Sequence, residues 1–166
     1  MTFLSMLVGA VAAAAAMQVA VLDAKAQEDL DAFSCRYVEA PTAEPIGDEE
    51  GHGISVRDYS CNVTQGPLSG GVLTARAVWE IDKSGGRLLL GGAVIRTPGA
   101  IAVLQLSDGK LEYVAAANGE VTEVRTSGRG AYLLASGAAA SLSGRTFTYT
   151  TKTTAPSEFY FEDRRE

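Results

Sequence analysis

Leu73, Ala75, Ala77, Trp79 and Ile81 alternate with Thr74, Arg76, Val78 and Glu80. A period of two marks a β-strand with one buried face. The turn signals around it repeat. Gly66-Pro67-Leu68-Ser69-Gly70-Gly71 precedes the strand, and Asp82-Lys83-Ser84-Gly85-Gly86 follows it. Arg87–Arg96 reads as the next strand, with Gly91-Gly92 placing a bulge or bend at its centre. Thr97-Pro98-Gly99 turns the chain again. Ile101–Leu106 and Lys110–Ala116 read as two strands joined by a tight hairpin at Ser107-Asp108-Gly109. Asn118-Gly119 is a second such signal, followed by a strand over Glu120–Thr126.

The flanks continue the pattern. Residues 33–39 form a first short strand, and 54–64 a second, with Ile54, Val56 and Tyr59 before Cys61. Residues 40–53 hold two Pro, three Gly and four acids, which predicts an exposed loop. Ala131–Ala135, Thr146–Lys152 and Glu158–Glu162 supply the last strands. Turns every 8–14 residues predict an all-β domain, a small antiparallel barrel of roughly eight strands. Eighteen glycines fit the bends of a closed sheet.

The N-terminus changes the compartment. An apolar run from Phe3 to Leu22 ends in Ala24-Lys25-Ala26, the pattern of a secretory signal peptide spanning 1–26. Retention of this run as an anchor is the alternative, since about 20 apolar residues can span a bilayer. The remainder, 27–166, has the size of one domain. A secreted or periplasmic location follows from either reading, with no membrane contact after cleavage.

Export gives meaning to Cys35 and Cys61, the only two cysteines. An isolated pair outside a Cys-x-x-Cys motif predicts a structural disulfide. It would tie neighbouring strands across the base of the 40–53 loop. Closing a loop of about 27 residues stabilises by roughly 3.5 kcal/mol in the chain-entropy picture.

Charge narrows the partners. The net charge is −6, and the basic residues are scattered. Nucleic-acid binding needs a basic stripe, so that class is set aside. His52, the single histidine, follows Asp48-Glu49-Glu50 in the long loop. One His does not make a zinc site, and the acids lack EF-hand spacing, so no metal or other cofactor is expected. His52 reads as a solvated loop residue. Pro67-Leu68-Ser69-Gly70-Gly71 is not a nucleophile elbow. Ser127-Gly128-Arg129-Gly130 has no following helix to make a phosphate loop, and Arg129 reads as a solvated turn residue. Asn62-Val63-Thr64 matches a glycosylation acceptor, which matters only in a eukaryotic secretory route.

Ser127-Gly-Arg-Gly-Ala-Tyr-Leu-Leu-Ala-Ser-Gly137, continuing to Phe147-Thr-Tyr-Thr, resembles the allene oxide cyclase and dirigent barrels. The likeness covers about 25 residues. It implies an eight-stranded antiparallel barrel. The acidic catalytic positions of dirigent proteins have no match here, so no catalytic residue is carried over.

Trp79, Tyr113, Phe147, Tyr149, Phe159 and Phe161 fall mostly on alternate strand positions. Such residues fill a small barrel or line a pocket in its mouth. The first functional expectation is therefore an exported, non-enzymatic binding module. It would take a small apolar ligand or a protein partner, with Trp79, Tyr113, Phe147 and Tyr149 as the lining. The site is expected at the mouth beside loop 40–53. A structural protein of the cell envelope is the second class, marked by a solid barrel with an apolar outer patch. A cyclase or isomerase is the third. It requires a buried carboxylate or Tyr with a shifted pKa, for which Glu80, Glu112, Tyr113 and Glu123 are the strand candidates. Ligand identity and oligomeric state stay open.

Overall fold

Nine antiparallel strands make up the computed structural model, which describes residues 29–166. They are β1 (Leu30–Tyr37), β2 (Thr42–Pro45), β3 (Gly53–Gln65), β4 (Val72–Asp82), β5 (Gly85–Thr97), β6 (Ala100–Ala115), β7 (Val121–Gly137), β8 (Thr146–Ala155) and β9 (Glu158–Arg165). A single 3₁₀ turn, Ala140–Leu142, lies between β7 and β8. The expected signal peptide lies outside the described residues.

Each strand from β3 to β9 pairs with the next, and β1 pairs with both β9 and β3. The ring is therefore a closed eight-stranded barrel, and β2 is one extra strand. Closure leaves no full-length edge open to other chains. β2 takes over from β1 beside β3, pairing Thr42 with Val56 and Pro45 with Gly53. Among the described residues no strand pairs with the other edge of β2. The 40–53 segment is exposed as expected, apart from half-buried His52 and buried Gly53 at its end, but it contains this short strand.

Cys35 and Cys61 face each other across β1 and β3 and are joined by a disulfide with an S–S distance of 2.04 Å. The bond fastens the strand that closes the ring. It lies at the inner face, where both cysteines are buried.

Two expected turns are strand. Ser107-Asp108-Gly109 lies inside the 16-residue β6, and Ser127-Gly128-Arg129-Gly130 inside the 17-residue β7. The two segments pair with each other through a register shift between Leu106 and Asp108. Asp108 accepts hydrogen bonds from the Arg129 backbone N–H and from Arg129 Nε. Local turn chemistry thus yields to ladder pairing, and the surplus residue becomes a bulge. Arg129 is solvated as expected, but it is a strand residue paired with Asp108 and not a turn residue.

The two ends differ. At one end the β3–β4 turn folds Leu68 inward against a cluster that includes Phe33, Ile95, Tyr132, Ala139, Leu142 and Phe147, all buried. This end is sealed. At the other end Trp79, Ala77 and Leu111 form a smaller cluster, bordered by half-buried Ile81, Tyr113 and Val124. Between the ends, rings from four strands touch. Tyr149 stacks on Phe161 at 5.6 Å, and Phe159 meets Tyr37 at 4.9 Å and Tyr59 at 5.2 Å.

Candidate functional site

Inward positions of β3 and β4 begin the site. Arg57 and Tyr59 alternate along β3, opposite Ala77 and Ala75 of β4. Trp79 lies one inward step nearer the open rim and faces Ser55. Thr126 of β7, Tyr149 and Thr151 of β8, Phe159 and Phe161 of β9, Leu106 of β6 and Tyr37 of β1 complete a chamber. Its volume is about 30 Å³. That is the share of one water molecule in the liquid. Gly109 makes room for its rings: a Cβ there would lie 2.3 Å from Tyr149 Oη and 3.0 Å from Trp79 Cη2.

The chamber's polar groups are unequal in their partners. Thr126 and Thr151 share a hydroxyl hydrogen bond of 2.8 Å. Tyr149 Oη donates to the Asp108 carbonyl at 3.2 Å. Arg57 is only 9% exposed, and its Nε donates to Ser55 Oγ at 3.3 Å. Its two terminal nitrogens make no hydrogen bond with the described residues, nor do the hydroxyls of Tyr37 and Tyr59. No acidic residue lines the chamber. Burial pushes the Tyr59 phenol above its ordinary range, so it remains a neutral donor at physiological pH.

His52 lies on the outer wall near the same end. Its Nδ1 is 2.8 Å from Asp48 and its Nε2 3.0 Å from Glu80. Glu80 also pairs with Arg87. His52 is therefore held by two carboxylates and is not a solvated loop residue. The Glu80 contact, then the Asp48 contact, raises its pKa above the ordinary 6.5. Both ring nitrogens are engaged, so neither is left to activate a nucleophile. No group of acids, His and Cys that could hold a metal occurs among the described residues.

A third polar group is buried at the sealed end. Asp31 of β1 faces Asp163 of β9, and Tyr132 Oη is 3.0 Å from each. Arg165 Nη1 lies 2.5 Å from Asp31 Oδ2. Burial, reinforced by the neighbouring Asp31 carboxylate, pushes Asp163 up to about 8. Both Oδ1 atoms are buried without a hydrogen-bond partner. All of this lies beneath the plug at Leu68, away from the chamber.

Of the four expected lining residues, Trp79 and Tyr149 meet in the chamber. Tyr113 packs against the Trp79 cluster at the rim, and Phe147 packs against Tyr132 at the sealed end, 5.2 Å between centroids. Glu80, Glu112 and Glu123 are not buried acids. Their contacts with His52, Lys110 and Arg125, respectively, lower each pKa. The buried carboxylates are instead Asp31 and Asp163. Arg57 also escapes the sequence reading, although it shares inward parity with Tyr59 and Cys61. Ile54 and Val56, named with Tyr59 in the expected strand, point the other way, and Val56 is exposed.

Comparisons with known proteins give no identity: no family model, no curated protein and no solved structure matches the chain.

Proposed function

We propose that the barrel is a non-enzymatic binding module, and that its ligand sits at the open end over the chamber beside Trp79. One observation carries this reading: the two ends are built differently. The sealed end is plugged by Leu68 and ties its buried Asp31, Asp163 and Tyr132 into one network that leaves both Oδ1 atoms without a partner. The open end keeps a chamber whose donors, on Arg57, Tyr37 and Tyr59, are not consumed by the fold. Concave, mostly apolar sites with a few convergent polar groups are the usual form of a ligand site.

The chamber is too small for a whole apolar ligand, so the body of the ligand rests at the mouth. Half-buried Ile81, Tyr113 and Val124 provide its apolar surface there. One guanidinium and two neutral hydroxyl donors without a base favour holding a ligand over transforming it. The disulfide supports an oxidising compartment, in keeping with export to the periplasm or beyond.

Trp79 fluorescence tests the reading. Titration with N-phenyl-1-naphthylamine, a neutral aromatic dye, is expected to enhance the dye and quench Trp79, the sole tryptophan. No change in either signal, with the far-ultraviolet spectrum intact, rules out a site at this end.

A second reading, a protein-interaction role at the cell envelope, is favoured by the outer wall. Val56, Val78 and Leu90 face one another across β3, β4 and β5, and Val56 and Leu90 are exposed. Light scattering of the wild type and of Leu90→Lys tests it. A monomer in both cases, with no partner recovered by crosslinking in the native compartment, removes this reading.

A further inference from the structure

We propose that the ligand carries a carboxylate, and that Arg57 is its counter-charge. This rests on the binding reading above and names the chemistry of that site. Arg57 is nine-tenths buried, yet no carboxylate of the described residues lies within 4.0 Å of it. Buried guanidinium groups are ordinarily paired, whereas the Arg57 terminal nitrogens are not among the buried unpartnered atoms and keep contact with solvent at the mouth, where a ligand can reach them. The other buried arginine, Arg165, obeys the rule through Asp31. Six arginines of this chain pair with acids, and Arg57 is the one inside the barrel that does not.

The surroundings select the anion. Arg57 offers a planar fork of N–H donors, which matches a carboxylate in two parallel hydrogen bonds. Tyr37 and Tyr59 line the same chamber and add two neutral O–H donors. One cation in an apolar chamber balances a monoanion. A phosphate dianion would leave a second charge uncompensated. At about 30 Å³ the chamber admits one water-sized group, so a single carboxylate oxygen enters it and the body stays outside. Asp31 and Asp163 cannot substitute for the ligand, since they lie at the opposite end under Leu68 and Phe33.

Such a carboxylate could belong to a free small acid or to the C-terminus of an apolar peptide. Both present the same head group. The test uses the disulfide-intact protein and matched probes read by Trp79 fluorescence: octanoate, 1-octanol, octyl phosphate, and an apolar tetrapeptide with a free or amidated C-terminus. Octanoate is expected to bind about tenfold more tightly than 1-octanol at pH 7.5. Arg57→Met should erase this preference while retaining 1-octanol binding, and Arg57→Lys should keep part of it. The free peptide binding above octanoate supports a chain terminus as the source, and the reverse supports a small acid. The wild-type ratio decides the matter even if Arg57→Met does not fold. Equal binding of octanoate and 1-octanol, or tighter binding of octyl phosphate, overturns the carboxylate proposal and leaves the binding reading standing. If none of the probes binds, nor the neutral dye, both fall together.

Discussion

Asp31 and Asp163 are directly opposed on β1 and β9, and the single hydroxyl of Tyr132 lies 3.0 Å from a carboxylate oxygen of each. Arg165 answers Asp31. Burial, then the Asp31 charge, pushes Asp163 up to about 8. The folded state therefore holds a proton that the unfolded chain releases near 3.8. By linkage, this group's contribution to stability is full below about pH 4, falls as pH rises towards 8, and is level above. Asp163→Asn, which mimics the protonated acid, should remove that slope. Urea midpoints at pH 5 and pH 8 are expected to differ less in the variant than in the wild type. Asp31→Asn strands the Arg165 guanidinium and should cost about 3 kcal/mol at pH 7.

Reduction of Cys35–Cys61 frees the strand that closes the ring. The loop between them spans 26 positions. The expected loss is about 3.5 kcal/mol. Denaturant melts with and without reductant, or of the Cys35→Ala/Cys61→Ala double variant, give the value directly. A loss under 1 kcal/mol would show that β1 is held by its ladders and by Phe33 alone.

Gly130 lies under the Phe147 ring. A Cβ at this position would be 2.4 Å from Phe147 Cζ and 2.6 Å from the Gln105 carbonyl oxygen. The ring could turn aside, but the carbonyl belongs to the β6–β7 ladder. Gly130→Ala should destabilise by about 2–3 kcal/mol through overpacking. Phe147→Leu in the same chain relieves the ring contact and should recover part of the loss.

Much of this was legible along the chain. Leu73, Ala77 and Trp79 alternate with outward residues in β4 as the hydrophobic pattern states, and the cysteines staple the strands that flank the long loop. What escaped has a common cause. Asp31 and Asp163 fall just beyond the expected strand limits, where a charged residue reads as solvated. Only the pairing of β1 with β9 shows that they are interior. Arg57 follows two apolar residues of opposite parity, so the mean pattern hides it. Ser107-Asp108-Gly109 carries turn chemistry, but Gly109 faces Gly128 in the ladder, and that partner lies 19 positions away. These are contacts between distant segments, which local periodicity does not encode.

His52 gives a prediction about the loop it anchors. Glu80, then Asp48, raises its pKa in the folded state. Its contribution is full below the ordinary 6.5 and is lost as pH rises through the raised value. Asp48 and Glu80 are lowered, chiefly by the same His52, so their contributions are lost as pH falls below 3.8 and 4.5, respectively. Residues 46–52 should be held best between about pH 4.5 and 6.5. Protease nicking of this segment should quicken above neutrality in the wild type. In His52→Ala it should be fast and flat across the same range.

The first and last described residues are neighbours. The Arg165 N–H donates to the Asp29 carbonyl at 2.9 Å, and the Glu166 N–H donates to Thr146. Both lie beside the plugged base, opposite the rim where His52, Ile81 and Tyr113 stand. The barrel is thus a cup whose first and last described residues meet at its base. A tag or fusion partner joined at residue 29 or residue 166 departs from the base and not from the rim. Joining residue 29 to residue 166 and reopening the chain elsewhere should preserve the cup. The connections at its rim, 38–52, 83–84, 116–120 and 156–157, can be varied without disturbing the base.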